Sequence, residues 1–338
     1  MKLTRLYTDR HFQQWPSWSL VYEWEDIIEE QLNLSLKDTA KAAIVTRSID
    51  RVLASVSRRL KLSDNKLLRI ADQLVLKPAA LYFEMYPQDS FRFSASKNTV
   101  PFIIDFWKTQ DLATFYKIYR NCKLVLISSK EVYDYLKEHK CPLNIQHVPL
   151  SLSDKYKVSP DSEKKIDILL AGRTSPVLGD YLKRYEKLHP GIEYFYSKII
   201  DGEIYYFSNK NGIVGNYHKR EDYLDLLRTA KVTFYSTPGI DGFEERTGGF
   251  NPVTPRLFEL AASGCSIIAR YPVNPDTDFF RLPLFYPSAD SYELFEKQLT
   301  KALHSDADKV RKHNQTFLTD HYTSNRARMI TDIVNNIA

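Results

Sequence analysis

Along most of this chain, short apolar runs alternate with longer amphipathic stretches, and that alternation constrains the fold more than any other feature. A short apolar run reads as a strand buried on both faces, and an amphipathic stretch between two such runs reads as the crossover helix of a parallel sheet. Leu3–Tyr7, Ala42–Arg47, Ala79–Phe83, Val100–Ile104, Leu124–Ser128 and Ile145–Pro149 are the expected strands of a first unit. Val21–Leu32, Ile49–Leu60, Lys66–Leu76, Asp111–Arg120 and Lys130–His139 are its expected helices. The stretch Ser151–Lys165 is polar, shows no face to bury, and reads as a linker. The alternation then restarts. Strands are expected at Ile166–Ala171, Ile192–Ser197, Val232–Ser236 and Ser266–Ala269, with helices at Pro176–Leu188, Arg220–Ala230 and Pro255–Ser263 and a mostly helical tail from Ser291. The expected fold class is α/β, with two Rossmann-like doubly wound domains facing a cleft. The first spans 1–152, the second 153–322, and a helix over 323–338 packs back on the first. In such sheets ligands bind outside the carboxyl ends of the strands.

Composition supports a folded, two-domain chain. At roughly 150 residues per domain, 338 residues suit two domains, and 18 Phe, 22 Tyr and 4 Trp exclude intrinsic disorder. The net charge of +5 comes from interspersed acidic and basic residues. That pattern argues against a nucleic-acid groove and suits an anionic substrate or contact with an anionic membrane surface. Cys122, Cys141 and Cys265 lack metal or redox spacing and read as buried free thiols. The start, MKLTRLYTDR, has no long apolar segment, and no apolar run reaches the ~18 residues of a membrane span. A cytoplasmic protein is expected, at most peripheral at the inner face of the membrane.

Glycine is scarce, with 11 in the chain, so its clustering is informative. Gly239, Gly242, Gly248, Gly249 and Gly264 all fall within STPGIDGFEERTGGFNPVTPRLFELAASGCSIIAR, Ser236–Arg270. Thr247-Gly248-Gly249 precedes a helix with Thr254 at its N-cap, Pro255 in its first turn and Gly264 beyond its end. Backbone N–H groups and the helix dipole at such a place attract phosphate. Arg256 adds a fork of donors suited to a diphosphate. Glu259, three residues on, can either accept from two sugar hydroxyls or pair with Arg256 on the helix surface.

The run VTPRLFELAASGCSII resembles the nucleotide-binding signature of GT-B glycosyltransferases, closest to family 4-like enzymes and the related spore-maturation-type group. The preceding YLDLLRTAKVTFYSTPG and the strand DILLAGR are similar to elements of that family's C-terminal domain. LVLISSKEVYDYL and IQHVPLSLS resemble the last helix and strand of its N-terminal domain. The resemblance spans most of Pro101–Arg270. It implies a nucleotide sugar held mainly by the second domain, with Glu259 on the ribose, Arg256 on the diphosphate and Arg173 facing the phosphates. Gly172 turns the backbone beside it, and the Thr247–Gly249 loop and Thr254 lie by the donor. No metal cofactor is implied, because cations and helix N-termini stabilise the leaving diphosphate. The implied reaction transfers a sugar to a glycan or lipid-linked glycan acceptor, as in capsule or O-antigen assembly. Alternatives are a non-catalytic glycosyltransferase-like binding subunit and a GT-B-fold nucleotide-sugar epimerase.

Two departures stand out. Where retaining family 4 enzymes carry Glu, eight residues before the ribose-binding Glu, this chain has Asn251, which can bond a donor hydroxyl but supplies no carboxylate. Stereochemistry and donor identity therefore stay open. The first loop, Thr8–Ser19, has two Trp and no Gly. Trp15 and Trp18 can either stack on an acceptor sugar or pack on the core. Asp105, after the strand VPFII, is the leading base for an inverting transfer, or else a structural turn residue. Glu23, with Asp26 on the same helical face, is an acceptor-side carboxylate or a partner of the helix's positive end. Lys219 and Arg220 lie near the cleft, either reaching phosphates or simply solvated.

Overall fold

Strands β3 (Ala79–Glu84) and β4 (Thr99–Ile103) bury every residue, and parallel strands of this kind need helices on both sides. They form the middle of one of two six-stranded sheets in a computed structural model. The structure describes residues 1–11, 13, 16–39, 79–87, 98–157, 162–201, 203–217 and 219–337. The first sheet also holds β1 (Leu3–Thr8), β2 (Ser35–Asp38), β5 (Val125–Ile127) and β6 (Ile145–His147), all parallel, in the order β2-β1-β3-β4-β5-β6. β1 is flanked by β2 and β3, so the order reverses beside it. The edge strand β2, SLKD, is short and half polar, and periodicity does not reveal it. Expected elements at Ala42–Arg47, Ile49–Leu60 and Lys66–Leu76 lie outside the described residues.

The helices of this half follow their apolar stripes. α1 (Pro16–Leu32) starts earlier than its apolar pattern suggests, so Trp18 becomes a helical residue and packs in the core at 8% exposure, against Tyr22. Glu23 and Asp26 are consequently mid-helix, away from its positive end. α2 (Leu112–Tyr119) is capped by Asp111 and α3 (Lys130–Glu138) by Ser129, whose side chains accept backbone N–H bonds.

The second sheet runs β10-β9-β8-β7-β11-β12. β7 (Ile166–Leu170), β8 (Tyr194–Ile200), β11 (Ala230–Ser236) and β12 (Ser266–Arg270) are parallel. β9 (Glu203–Ser208) and β10 (Gly212–Asn216) are antiparallel additions at one edge, where the alternation alone suggests none. α4 (Pro176–Leu188), α5 (Arg220–Thr229), α6 (Glu244–Thr247), α7 (Pro255–Ala262), α8 (Pro275–Phe279), α9 (Leu282–Phe285), α10 (Tyr292–Leu303) and α11 (Ala307–Leu318) follow in chain order. The final helix, α12 (Thr323–Asn335), packs against α1. No described helix is long and apolar enough to cross a membrane. The three cysteines are free thiols.

The chain crosses between the halves twice, and the two crossings are bonded to each other. Leu152 pairs with Tyr322: its N–H reaches His321 O at 2.9 Å, and Thr323 N–H reaches Leu152 O at 2.9 Å. The buried Arg326 guanidinium donates to the carbonyls of Pro149, Leu150 and Asp320. Ser151, Leu152 and Ser153 are buried, so the expected linker is anchored at its start. Its polarity misleads because backbone pairing, rather than an apolar face, holds it.

A second junction joins α8 to the N-terminus of α3. The buried Asp276 carboxylate accepts from the Ser129 hydroxyl and from Lys130 N–H at 3.0 Å. Next to it, Asn251 N–H donates to Glu131 Oε2 at 2.7 Å. Burial pushes the Glu131 carboxyl up to about 7 and Asp276 up to about 6. Both groups bind protons more tightly folded than unfolded. Their stabilisation is therefore full near pH 4 and is lost as pH rises through about 6 to 7. The midpoint of thermal unfolding should fall over that window, and fall less steeply in Glu131→Gln. Equal pH slopes for the two proteins would refute this assignment.

Candidate active site

In the second sheet the strand order reverses beside β7, so the crevice between the carboxyl ends of β7 and β11 is where a ligand is expected. The Arg256 side chain fills the base of that crevice. Its Nη1 donates to Ala171 O and its Nη2 to Ser236 O, both at 3.3 Å, and its guanidinium lies over the Tyr235 ring. Arg256 Nε is buried without a hydrogen-bond partner. With two of five N–H groups used on carbonyls, the guanidinium keeps donor capacity. Gly172 makes this approach possible. It sits at φ +68°, and a Cβ there would lie 2.8 Å from Arg256 Nη1.

Arg173 follows directly, half-buried, with its guanidinium 5.7 Å from the Phe243 ring centroid. Burial and the nearby guanidiniums of Arg246 and Arg256 lower its pKa. Arg246, on α6, is the cation that sequence reasoning missed, because the Glu-Glu-Arg run looks like solvated charge. From the other half, Asp105 comes just after β4 and faces Arg246 and Arg173. Burial raises its carboxyl to about 6, against the pull of both arginines. The two halves thus set one carboxylate opposite two guanidiniums, Arg173 and Arg246, with Arg256 beside Arg173. In a site partly shielded from water such a cluster favours a polyanion.

Several expected contacts are rearranged. The Gly248 and Gly249 amides both donate to Glu244 O, closing α6, so they do not form an open phosphate cradle. Thr247 is buried, and its carbonyl accepts Lys108 N–H at 3.0 Å from the first half. A Cβ on Gly248 would meet Lys108 and Thr109, so this glycine permits close contact between the halves. Thr254 stands at the N-cap of α7, but its side chain makes no capping bond. Its N–H instead donates to the Tyr235 hydroxyl at 3.0 Å.

Asn251 is fully occupied. Its Oδ1 accepts from Thr237 Oγ1 and Gly239 N–H, and its Nδ2 donates to Gly239 O and Gly249 O. All four bonding positions of the amide are used. It ties the loop after β11 together and has none left for a donor hydroxyl, a correction to the expected contact.

Glu259 is buried and bonded to the Arg220 Nη1 through Oε1. The same guanidinium grips Glu23 with Nε at 2.8 Å and Nη2 at 3.3 Å. Glu23 also takes the Tyr156 hydroxyl at 2.8 Å and pairs with Lys155. Glu23 is therefore an interdomain anchor rather than an acceptor contact, and Arg220 is part-buried and paired rather than solvated. Trp18 is core and offers no stacking face, while Trp15 lies outside the described residues. At the end of β1, the buried Asp9 accepts from Thr39 and Tyr82, and Glu25 accepts from Thr8 and Arg10. His147 bonds Ser128 O, with burial lowering it to about 4. Among the described residues, no group of three or more His, Cys, Asp or Glu is arranged to hold a metal ion.

No family model matches the chain. No curated protein matches it in sequence. Its fold is similar to the N-terminal domain of Candida albicans trehalose-6-phosphate phosphatase, with a TM-score of 0.60 and 8% identity over 98% of this chain and 96% of that one. It is also similar to a trehalose-6-phosphate synthase studied with bisubstrate glycomimetics, with a TM-score of 0.50 and 8% identity over 80% and 78% of the two chains. A sucrose-phosphate synthase from Thermosynechococcus elongatus matches at a TM-score of 0.47 and 12% identity, over 80% and 76%. The two-sheet α/β architecture is the GT-B glycosyltransferase fold.

The Gly172 contact makes a direct prediction. Gly172→Ala adds a Cβ at a positive φ and against Arg256, so it should destabilise the fold by about 1–3 kcal/mol in urea unfolding. Unchanged stability would show that Arg256 is not held against this backbone.

Proposed function

We propose that the chain is a glycosyltransferase that moves a sugar from a nucleotide-sugar donor to a glycan acceptor. The observation that carries this reading is that Asp105, at the end of β4, lies near Arg173 and Arg246 of the second half, with Arg256 next to Arg173 at the ends of β7 and β11. Three guanidiniums suit a diphosphate, whose charge grows on the leaving oxygen as the glycosidic bond breaks. Arg256 holds the phosphates from below, anchored to two strand ends, while Arg173 and Arg246 close on them from the side. Glu259 keeps Oε2 for the ribose hydroxyls while Arg220 holds Oε1. Fixed cations take the place that a metal ion holds in other phosphate sites, so a metal cofactor is not required by this arrangement.

Asp105 is the acceptor-side base. With its carboxyl near 6, it is largely ionised at neutral pH yet basic enough to take a hydroxyl proton as the new bond forms. The acceptor enters from the first half, above β3 and β4.

A thermal-shift screen over UDP-, GDP-, CMP- and dTDP-sugars should identify one stabilising donor. Arg246→Ala and Arg256→Ala should each weaken that donor about 10- to 100-fold by calorimetry. Wild-type affinity in both variants would sink the donor assignment. Asp105→Asn should bind donor normally and lose transfer by about 10²- to 10⁴-fold. The wild-type rate should rise with pH through about 6 as Asp105 loses its proton. An active Asp105→Asn enzyme would reject Asp105 as the base, and donor binding with no transfer to any glycan would favour a binding subunit.

A further inference from the structure

We infer that Arg220 is a positioning residue for donor binding, holding Glu259 as an oriented carboxylate with one oxygen turned to the nucleotide. This rests on the reading of Glu259 as the ribose contact. Glu259 is buried, and an isolated carboxylate in that position would keep its proton. Arg220 is the one side chain hydrogen-bonded to it among the described residues. The groups facing Glu259 are Arg220, Tyr223 and Arg228 from α5, Glu23 from α1, Tyr156 and the nearby Lys155 from the crossing segment, and Arg256 on its own helix. Burial is the largest influence and holds the carboxyl above its usual range; Arg220 is the strongest of the facing groups that favour the ionised form, ahead of Arg256, while Glu23 opposes it.

The geometry also fixes which oxygen is used. Arg220 approaches Oε1 with Nη1, while its Nε and Nη2 fork is committed to Glu23. Nη1 is the edge of the guanidinium left for Glu259, and it is bonded to Oε1. A protonated Glu259 would offer the ribose a poorer acceptor, and a rotated one would turn its free oxygen away.

The test is calorimetry of whichever of UDP, GDP, ADP and dTDP binds the wild-type protein most tightly, from about pH 6 to about pH 8.5. Wild-type affinity should be nearly flat across the range. In Arg220→Gln, affinity should be at least about tenfold weaker at the acid end and recover toward the alkaline end, as Glu259 gives up its proton late. Arg220→Lys should restore the flat profile by restoring a cation. Glu23→Gln, which removes the charge at this contact between the halves but keeps an amide oxygen for the Arg220 guanidinium, leaves Arg220 on Glu259 and should also stay flat. A pH-independent loss in Arg220→Gln, or the same loss in Glu23→Gln, would make Arg220 a domain fastener and overturn the inference. If Glu259→Gln binds as well as wild type, or none of the four nucleotides binds, the ribose assignment itself fails.

Discussion

The contact between the Arg256 guanidinium and the bare Cα of Gly172 determines how the second half can receive a ligand. Parallel strands end in carbonyls, and at the point where strand order reverses those carbonyls line an open crevice. Arg256 caps two of them, from β7 and β11, and so converts a rim of partial negative charge into a cationic floor. A side chain at position 172 would push the guanidinium off both strand ends. Arg173 lies next to this floor, with Arg246 and Asp105 near it in turn.

The strands were legible because each is an apolar run bounded by turn residues, and β7, β11 and β12 fall where alternation places them. The elements that escaped notice have different physical origins. β9 begins after the sequence pair Asp201-Gly202 and β10 begins at Gly212 of an Asn211-Gly212 pair, both strong hairpin signals, yet β10 buries no residue and β9 only two, so neither carries a clean apolar period. β2 is an edge strand defined by pairing with β1 rather than by composition.

The site was legible at its core and obscured at its margins. Arg173, Arg256, Gly172 and Asp105 sit at strand ends or helix starts, positions that chain order alone locates. Arg246 and Arg220 lie in mixed charge runs, where nothing local separates a solvated cation from one paired across the molecule. Arg220 is drawn out of solvent by Glu23, far away in sequence, which meets it from the other half. Asn251 shows the converse: its polarity suggested a ligand contact, but buried polar groups are usually satisfied by their own protein, and this one is.

The paired crossings at Leu152 and Thr323 have a mechanical consequence. Two covalent segments lie side by side, hydrogen-bonded to each other, with Arg326 clasping one from the other. A single tether lets two bodies twist and slide as well as bend. Two bonded tethers behave as a door hinge, permitting rotation about the line that joins them and resisting the rest. Any opening between Asp105 and the arginines then follows one arc, so these groups return to the same alignment each time the two halves close.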